Sequence, residues 1–234
     1  MTSVFALVTA LTVGACTPSP PRPAEPMPQA TERVLVGALR GRTGAALLVG
    51  DAASRVEVRL ADMPGILYRV TTPADAGLAP TVTARRGLYR IDLRPTGGSG
   101  PDIVRIVLNR AVRWDVRLPA GAGEQQLDLS AGRVTRVELG ASGLVELNLP
   151  RPRGTVPVMF RRGAGTVELT TPPETPVRIT LPEGAGTVTT PWTISNGTPA
   201  GTTLNAPGWS AASDRYTIRL ASGAGAITLR EREP

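Results

Sequence analysis

Histidine and lysine are absent from this chain of 234 residues, and cysteine occurs once. With no His and a single Cys, neither a Ser-His-Asp nor a Cys-His nucleophilic arrangement can be assembled. The same shortage removes the ligand sets of ordinary transition-metal sites. A lone Cys also leaves no intramolecular disulfide, so an exported form of the chain depends on packing and ladder hydrogen bonds. Aromatic residues are scarce too, at two Phe, three Tyr and three Trp. The core must therefore be built from Val, Leu, Ile and Ala in thin layers, a supply that suits narrow stacked architectures. No apolar run is long enough for a membrane-spanning helix, which needs about 20 residues.

What is plentiful is Arg. All 26 basic residues are Arg, against 19 acidic ones, giving a net charge of +7 and an isoelectric point near 11.0. The exclusive use of Arg reads as the mark of a GC-rich bacterial genome. Along the sequence these residues are scattered beside acids on alternating segments and do not cluster on one element. That distribution argues against nucleic acid as a partner and for attraction to anionic lipid or a cell-wall polymer.

The chain begins MTSVFALVTALTVGAC, with an apolar run from Val4 to Val13 that has the length of a signal-peptide core. Val13, Gly14, Ala15 and Cys16 that end it resemble the bacterial lipobox. That resemblance implies cleavage before Cys16 and a diacylglycerol thioether on its sulfur, and two or three acyl chains anchor stably where one does not. Other readings are an ordinary secretory signal or a buried apolar segment with a free thiol. The α-amino group is the only positive charge ahead of the run. Next comes TPSPPRPAEPMPQATE, where proline fixes φ and removes amide donors, which predicts an extended stalk. The expected organisation is a signal peptide over 1–15, a lipidated Cys and Pro-rich tether over 16–32, and a single all-β domain over 33–234.

From Glu32 onward apolar and polar residues alternate over five to seven positions between Gly or Pro clusters, an all-β pattern. Val56–Leu60, Tyr89–Leu93, Trp114–Leu118, Val156–Phe160, Val177–Leu181 and Tyr216–Leu220 are expected strands with one apolar face. Residues 40–53 are the least clear. Gly-Ala-Gly recurs at 121–123, 163–165, 184–186 and 223–225, with Gly140-Ala-Ser-Gly143 between. Leu118, Phe160, Leu181 and Leu220 each lie three residues before the first Gly, so the repeated unit reads as strand, glycine corner, strand. The glycines are expected to turn the chain through positive φ. Such units bury their apolar faces only by stacking, which predicts a β-solenoid, with a β-sandwich as the alternative.

The runs WDVRLPAGAGEQQLDLSAG, LVELNLPRPRGTVPVMFRRGAGTVEL and PVRITLPEGAGTVT resemble the bacterial putative-adhesin and toast-rack domains. The resemblance covers most of residues 50–231. It implies a stacked-strand domain on the cell envelope, and in some relatives the domain accompanies envelope-stress regulators.

Chemistry is sparse. Asp115, Asp128, Glu138, Glu146 and Glu168 are the carboxylates that could be paired for glycoside hydrolysis, yet each sits between apolar strand neighbours, the position of a solvent-facing residue. The Gly-Ala-Gly corners lack the regular Asp of a calcium roll, and no cofactor or metal is implied. Residues 191–214 interrupt the repeat and carry Trp192 and Trp209, which either form a binding surface or fold back to cap the stack. The expected function is a surface-tethered binding or structural module that is not an enzyme, located on the outer face of a bacterial membrane. Its partner would be a cell-wall polymer or an envelope protein. The alternatives are a carbohydrate-active enzyme and a stress-sensing partner of a membrane kinase.

Overall fold

The computed structural model describes residues 32–233, so the signal, Cys16 and most of the stalk lie outside the described residues. The described chain is all strand and turn, numbered β1–β19 in chain order. Fourteen of these strands form seven rungs of two strands each. The rungs are β2 (Gly44–Val49) with β3 (Ala53–Ala61), β6 (Leu88–Pro95) with β7 (Ile103–Asn109), β8 (Arg113–Leu118) with β9 (Ala122–Asp128), β10 (Arg133–Leu139) with β11 (Ser142–Asn148), β12 (Thr155–Phe160) with β13 (Ala164–Thr171), β14 (Val177–Leu181) with β15 (Ala185–Thr190), and β18 (Arg215–Leu220) with β19 (Ala224–Glu231). The even-numbered strand of each rung lies in one sheet, called B, and the odd-numbered strand in the facing sheet A. Neighbouring rungs pair in parallel. The stacked-strand expectation holds, and each anticipated strand falls within an observed one.

The rungs do not stack in chain order. In sheet B the sequence of neighbours is β6-β2-β8-β10-β12-β18-β14. The first rung, β2–β3, is therefore enclosed by β6–β7 and β8–β9, and the last, β18–β19, slots between β12–β13 and β14–β15. Each end is closed by antiparallel strands. At one end β1 (Glu32–Ala38) and β4 (Ile66–Pro73) extend sheet A, and β5 (Leu78–Arg85) extends sheet B. At the other, β16 (Thr193–Thr198) and β17 (Thr202–Asn205) do the same.

Because strand side chains alternate faces, rung pairing turns each apolar position into a column. Val116, Val137, Val158, Ile218 and Ile179 face one another along sheet B, and Leu127, Leu147, Leu169 and Leu229 along sheet A. All nine are buried. The few aromatics join this core, with Trp114, Tyr216 and Phe160 among the largest fully buried side chains. β2 was hard to read because its outward Leu48 breaks the alternation. Its register neighbours are Arg90 and Arg117, whose aliphatic stems can cover it.

The glycine corners work differently from expectation. The first Gly of the triplet has positive φ at Gly121 (81°) and Gly184 (76°), as anticipated, but the second Gly serves close approach. A Cβ on Gly123 would lie 2.7 Å from the Ser54 carbonyl oxygen, and one on Gly225 would lie 2.6 Å from that of Gly165. Cβ atoms on Gly165 and Gly186 would press in the same way on Gly143 and Gly225. The middle residue faces small partners, as in Ala122, Ser142, Ala164, Ala224 and Ala185.

Tyr216 ties the core to a turn. Its hydroxyl donates to the Pro150 carbonyl at 2.8 Å, and burial pushes its pKa well above the ordinary tyrosine value. A group whose proton is held more tightly in the folded state keeps its full contribution below about pH 10, the unfolded value, and loses it as pH rises further. The urea midpoint is therefore expected to fall above about pH 10, and Tyr216→Phe, at a cost of about 1 kcal/mol, should flatten that fall. An unchanged alkaline slope in the variant would refute the assignment.

Candidate binding face

A broad concavity of about 800 Å3 lies on the outer face of sheet A, next to the end where β1 enters. Strand alternation and rung register set its lining as two ladders. One runs Arg105, Glu57, Gln126 and Glu146, and the other Arg59, Asp128 and Asn148, with Glu168 and Thr170 continuing the two ladders beyond it. Arg105 reaches both Glu57, at 3.2 Å, and Glu32 on β1, at 3.5 Å. Beside them Arg55 meets Glu124 at 2.6 Å. These pairs are solvent-facing, so each stabilises by no more than about 1 kcal/mol. The face presents alternating donors and acceptors without an aromatic platform, an arrangement able to hydrogen-bond an extended chain of hydroxyl or amide groups.

The five candidate carboxylates are divided by the fold. Asp115 and Glu138 lie on sheet B, where Asp115 is bound by Arg117 and Glu138 by Arg161. The hydrogen bond from Arg117 to Asp115 raises the guanidinium pKa, as the bond to Glu138 does for Arg161. Asp128, Glu146 and Glu168 share the outer face of sheet A. Glu146 and Glu168 are register partners, with backbones about 4.8 Å apart. Two-carboxylate hydrolysis requires acids that flank a glycosidic bond from opposite sides, whereas these stand side by side on one face. Among the described residues no three His, Cys, Asp or Glu side chains are grouped to hold a metal ion.

Trp192 and Trp209 both lie at the end closed by β16 and β17. Trp209 is buried at 7% exposure, and its Nε1 donates to the Tyr216 carbonyl at 3.0 Å. Its ring lies beneath two guanidiniums, Arg178 at 3.4 Å and Arg215 at 4.2 Å from the centroid. Trp192 is partly buried against the core, with its Nε1 buried and lacking a hydrogen-bond partner. From 184 to 213 the sequence carries no charged residue, so β15, β16 and β17 are uncharged and rich in Thr, Ser and Asn. Ile194, on the edge strand β16, is 73% exposed.

No family model and no curated protein matches the chain. Solved structures do. A structure named as a putative cell adhesion protein from Clostridium sporogenes aligns with 87% of this chain and 100% of its own, at 17% identity and a TM-score of 0.69. Another, named as a putative adhesin from Bacteroides fragilis, aligns over 87% of this chain and 99% of its own at 8% identity, with a TM-score of 0.28 that adds no further argument. The first likeness establishes a shared fold.

Proposed function

We propose that the chain is an exported bacterial lipoprotein, anchored through Cys16, whose residues 33–234 form a single rigid all-β module that binds a partner at the cell surface. The observation that carries this reading is the fold shared with the structure named as a putative cell adhesion protein from Clostridium sporogenes, over that protein's whole length. Two further features support it. The described chain enters at β1, at one end of the stack, while the uncharged cap of β16 and β17 closes the opposite end. With about 4.8 Å per strand, the ten strands of sheet A set that cap roughly 43 Å from the point of entry. A stalk on the β1 side would then direct the β16–β17 end, with Trp192, Trp209 and Ile194, away from the membrane.

Labelled palmitate is expected to incorporate into the wild-type protein and not into Cys16→Ala, and label in both would refute the tether. Binding is tested with the full chain and isolated envelope fragments. Release of reducing ends from those fragments, abolished by Glu146→Gln, would replace the binding module with a carbohydrate-active enzyme.

A further inference from the structure

The turns that lead from sheet A back into sheet B form one long edge of the stack, opposite the glycine corners. Along that edge the strands of sheet B follow the order β6, β2, β8, β10, β12 and β18. Each starts with an Arg or has one two residues earlier, giving in spatial order Arg86, Arg42, Arg113, Arg133, Arg153 and Arg215. Six consecutive rungs therefore carry a row of guanidiniums about 24 Å long at the usual strand spacing. The sequence scatters these residues, and the rung order keeps the row unbroken by seating β18 beside β12, ahead of β14, which has no Arg at its start.

Four of the six lean the same way, toward the preceding rung. Arg42 Nη1 lies 3.5 Å from where a Cβ on Gly87 would be, and Arg113 Nη2 lies 3.9 Å from the equivalent point at Gly44. Arg133 Nη2 donates to the Ala111 carbonyl at 2.9 Å, and Arg215 Nε donates to Thr155 Oγ1 at 3.1 Å. Arg42 also sits over the Tyr89 ring at 5.6 Å, and Arg215 shares the Trp209 ring with Arg178. These contacts order the side chains without neutralising them. Among the described residues none of the six forms an ion pair. Of the carboxylates at this edge, Asp62 pairs with Arg110 at 3.1 Å, while Asp128, Asp214 and Glu231 accept from Ser130, from the Gly154 amide at 2.6 Å and from the Glu174 amide at 3.1 Å. Glu174 itself stands in the turn before β14, one rung beyond the row. Midway along the row, Arg133, Arg151 and Arg153 border a groove of about 690 Å3 with Gly132, Pro150 and Asp214.

We infer that this edge binds a linear polyol phosphodiester polymer, one without bases, an inference that rests on the surface-binding reading above and names its partner class. Guanidinium forks suit phosphate oxygens, and a row of fixed cations matches a chain carrying one negative charge per repeat. A phosphodiester offers oxygens in any direction, so successive groups can all meet donors projecting from one edge. In an extended uronate chain the carboxylates alternate sides and only half could do so. A bilayer fits poorly, because the exposed large apolar residues among those described, Val34, Val36 and Ile194, all lie away from this edge and none could insert beside the cations. Nucleic acid fits poorly because Tyr89 and Trp209, the rings at the row, are buried and cannot stack on bases.

The test uses fluorescently labelled poly(glycerol phosphate) of about 20 repeats and the full chain, followed by anisotropy across a salt series. Arg113→Gln, Arg133→Gln and Arg153→Gln combined are expected to weaken binding at least about tenfold and to lower the salt slope by about two, near 0.7 per lost contact. Arg69→Gln, Arg162→Gln and Arg219→Gln combined remove the same charge away from this edge and should change binding less than about twofold, as expected if position and not net charge decides. Arg153→Gln alone alters one exposed turn residue, and it should still weaken binding measurably if the combined variant misfolds. Equal effects of the two combined variants would overturn the inference. So would tighter binding to oligothymidylate, to polygalacturonate or to phosphatidylglycerol vesicles than to the polymer. If the full chain holds envelope fragments but not the polymer, this inference falls alone. If polymer binding persists without palmitate labelling, only the tethered display falls.

Discussion

Gly225→Ala is expected to destabilise the protein by about 2 kcal/mol, although Ala is ordinarily the better strand residue. The added methyl would lie 2.6 Å from the Gly165 carbonyl oxygen, a distance no relaxed Cβ occupies. Relief requires the rungs to part, but β19 is held by β13 on one side and β15 on the other. A shift away from Gly165 also drives the chain toward Gly186, which itself approaches the Gly225 carbonyl. The entropy gained by restricting the unfolded chain, about 0.4–1 kcal/mol, is smaller than the cost of overpacking, about 1–3 kcal/mol. The clash therefore decides the sign.

The same substitution elsewhere in the corner supplies the comparison. At Gly163 a Cβ would lie 3.4 Å from the Gly223 carbonyl oxygen, an ordinary contact, and the φ there is not positive. Gly163→Ala should be neutral or stabilise by up to about 1 kcal/mol. Gly143→Ala, at 3.2 Å from the Gly123 oxygen, should fall between the two. Urea unfolding of the three variants tests the order. Equal losses at all three would mean that the triplet is needed for its turn and not for close approach between rungs.

This distinction marks where the sequence stops being readable. The strand ends at Leu118, Phe160, Leu181 and Leu220 follow from the period-two pattern and the fixed offset to the corner, and all four are observed. Those signals are local. The reason for the second glycine is not, because its neighbour is the carbonyl of another rung, and rung adjacency leaves no trace in the chain. Val-x-Val-x-Leu strands are nearly interchangeable as neighbours, so alternation specifies that rungs stack without specifying their order. The carboxylates show the same limit. Alternation places Asp115, Glu138, Asp128, Glu146 and Glu168 toward solvent, but the sheet each joins depends on which strand of its rung it occupies. Trp192 and Trp209 were legible as members of an interruption in the repeat, whereas the pair of guanidiniums over Trp209 depends on β14 and β18 being neighbours.

Removing residues 215–234 is expected to abolish cooperative unfolding, an effect larger than the loss of a terminal rung would produce. In a simple solenoid the last rung touches one neighbour, and its removal shortens the stack while leaving the rest paired. Here β18 pairs with both β12 and β14, and β19 with both β13 and β15. Deletion leaves a gap two strand spacings wide, roughly 9.6 Å, across which no ladder hydrogen bond can form. It also removes Tyr216, Ile218, Leu220, Ile227 and Leu229 from the core, and each buried side chain of this size contributes about 1.5–3 kcal/mol. Their sum, about 7.5–15 kcal/mol, is as large as the roughly 5–15 kcal/mol of net stability typical of a domain. The rung β14–β15 and its cap can find a complete partner only after the last residues have threaded back beside them. The shortened chain should therefore show no sharp thermal transition by circular dichroism, and a synthetic peptide of residues 215–233 supplied in trans should restore one. A shortened chain that melts like the full-length protein would show that β14–β15 can close directly onto β12–β13, and that the intercalated order is one of two arrangements open to this sequence.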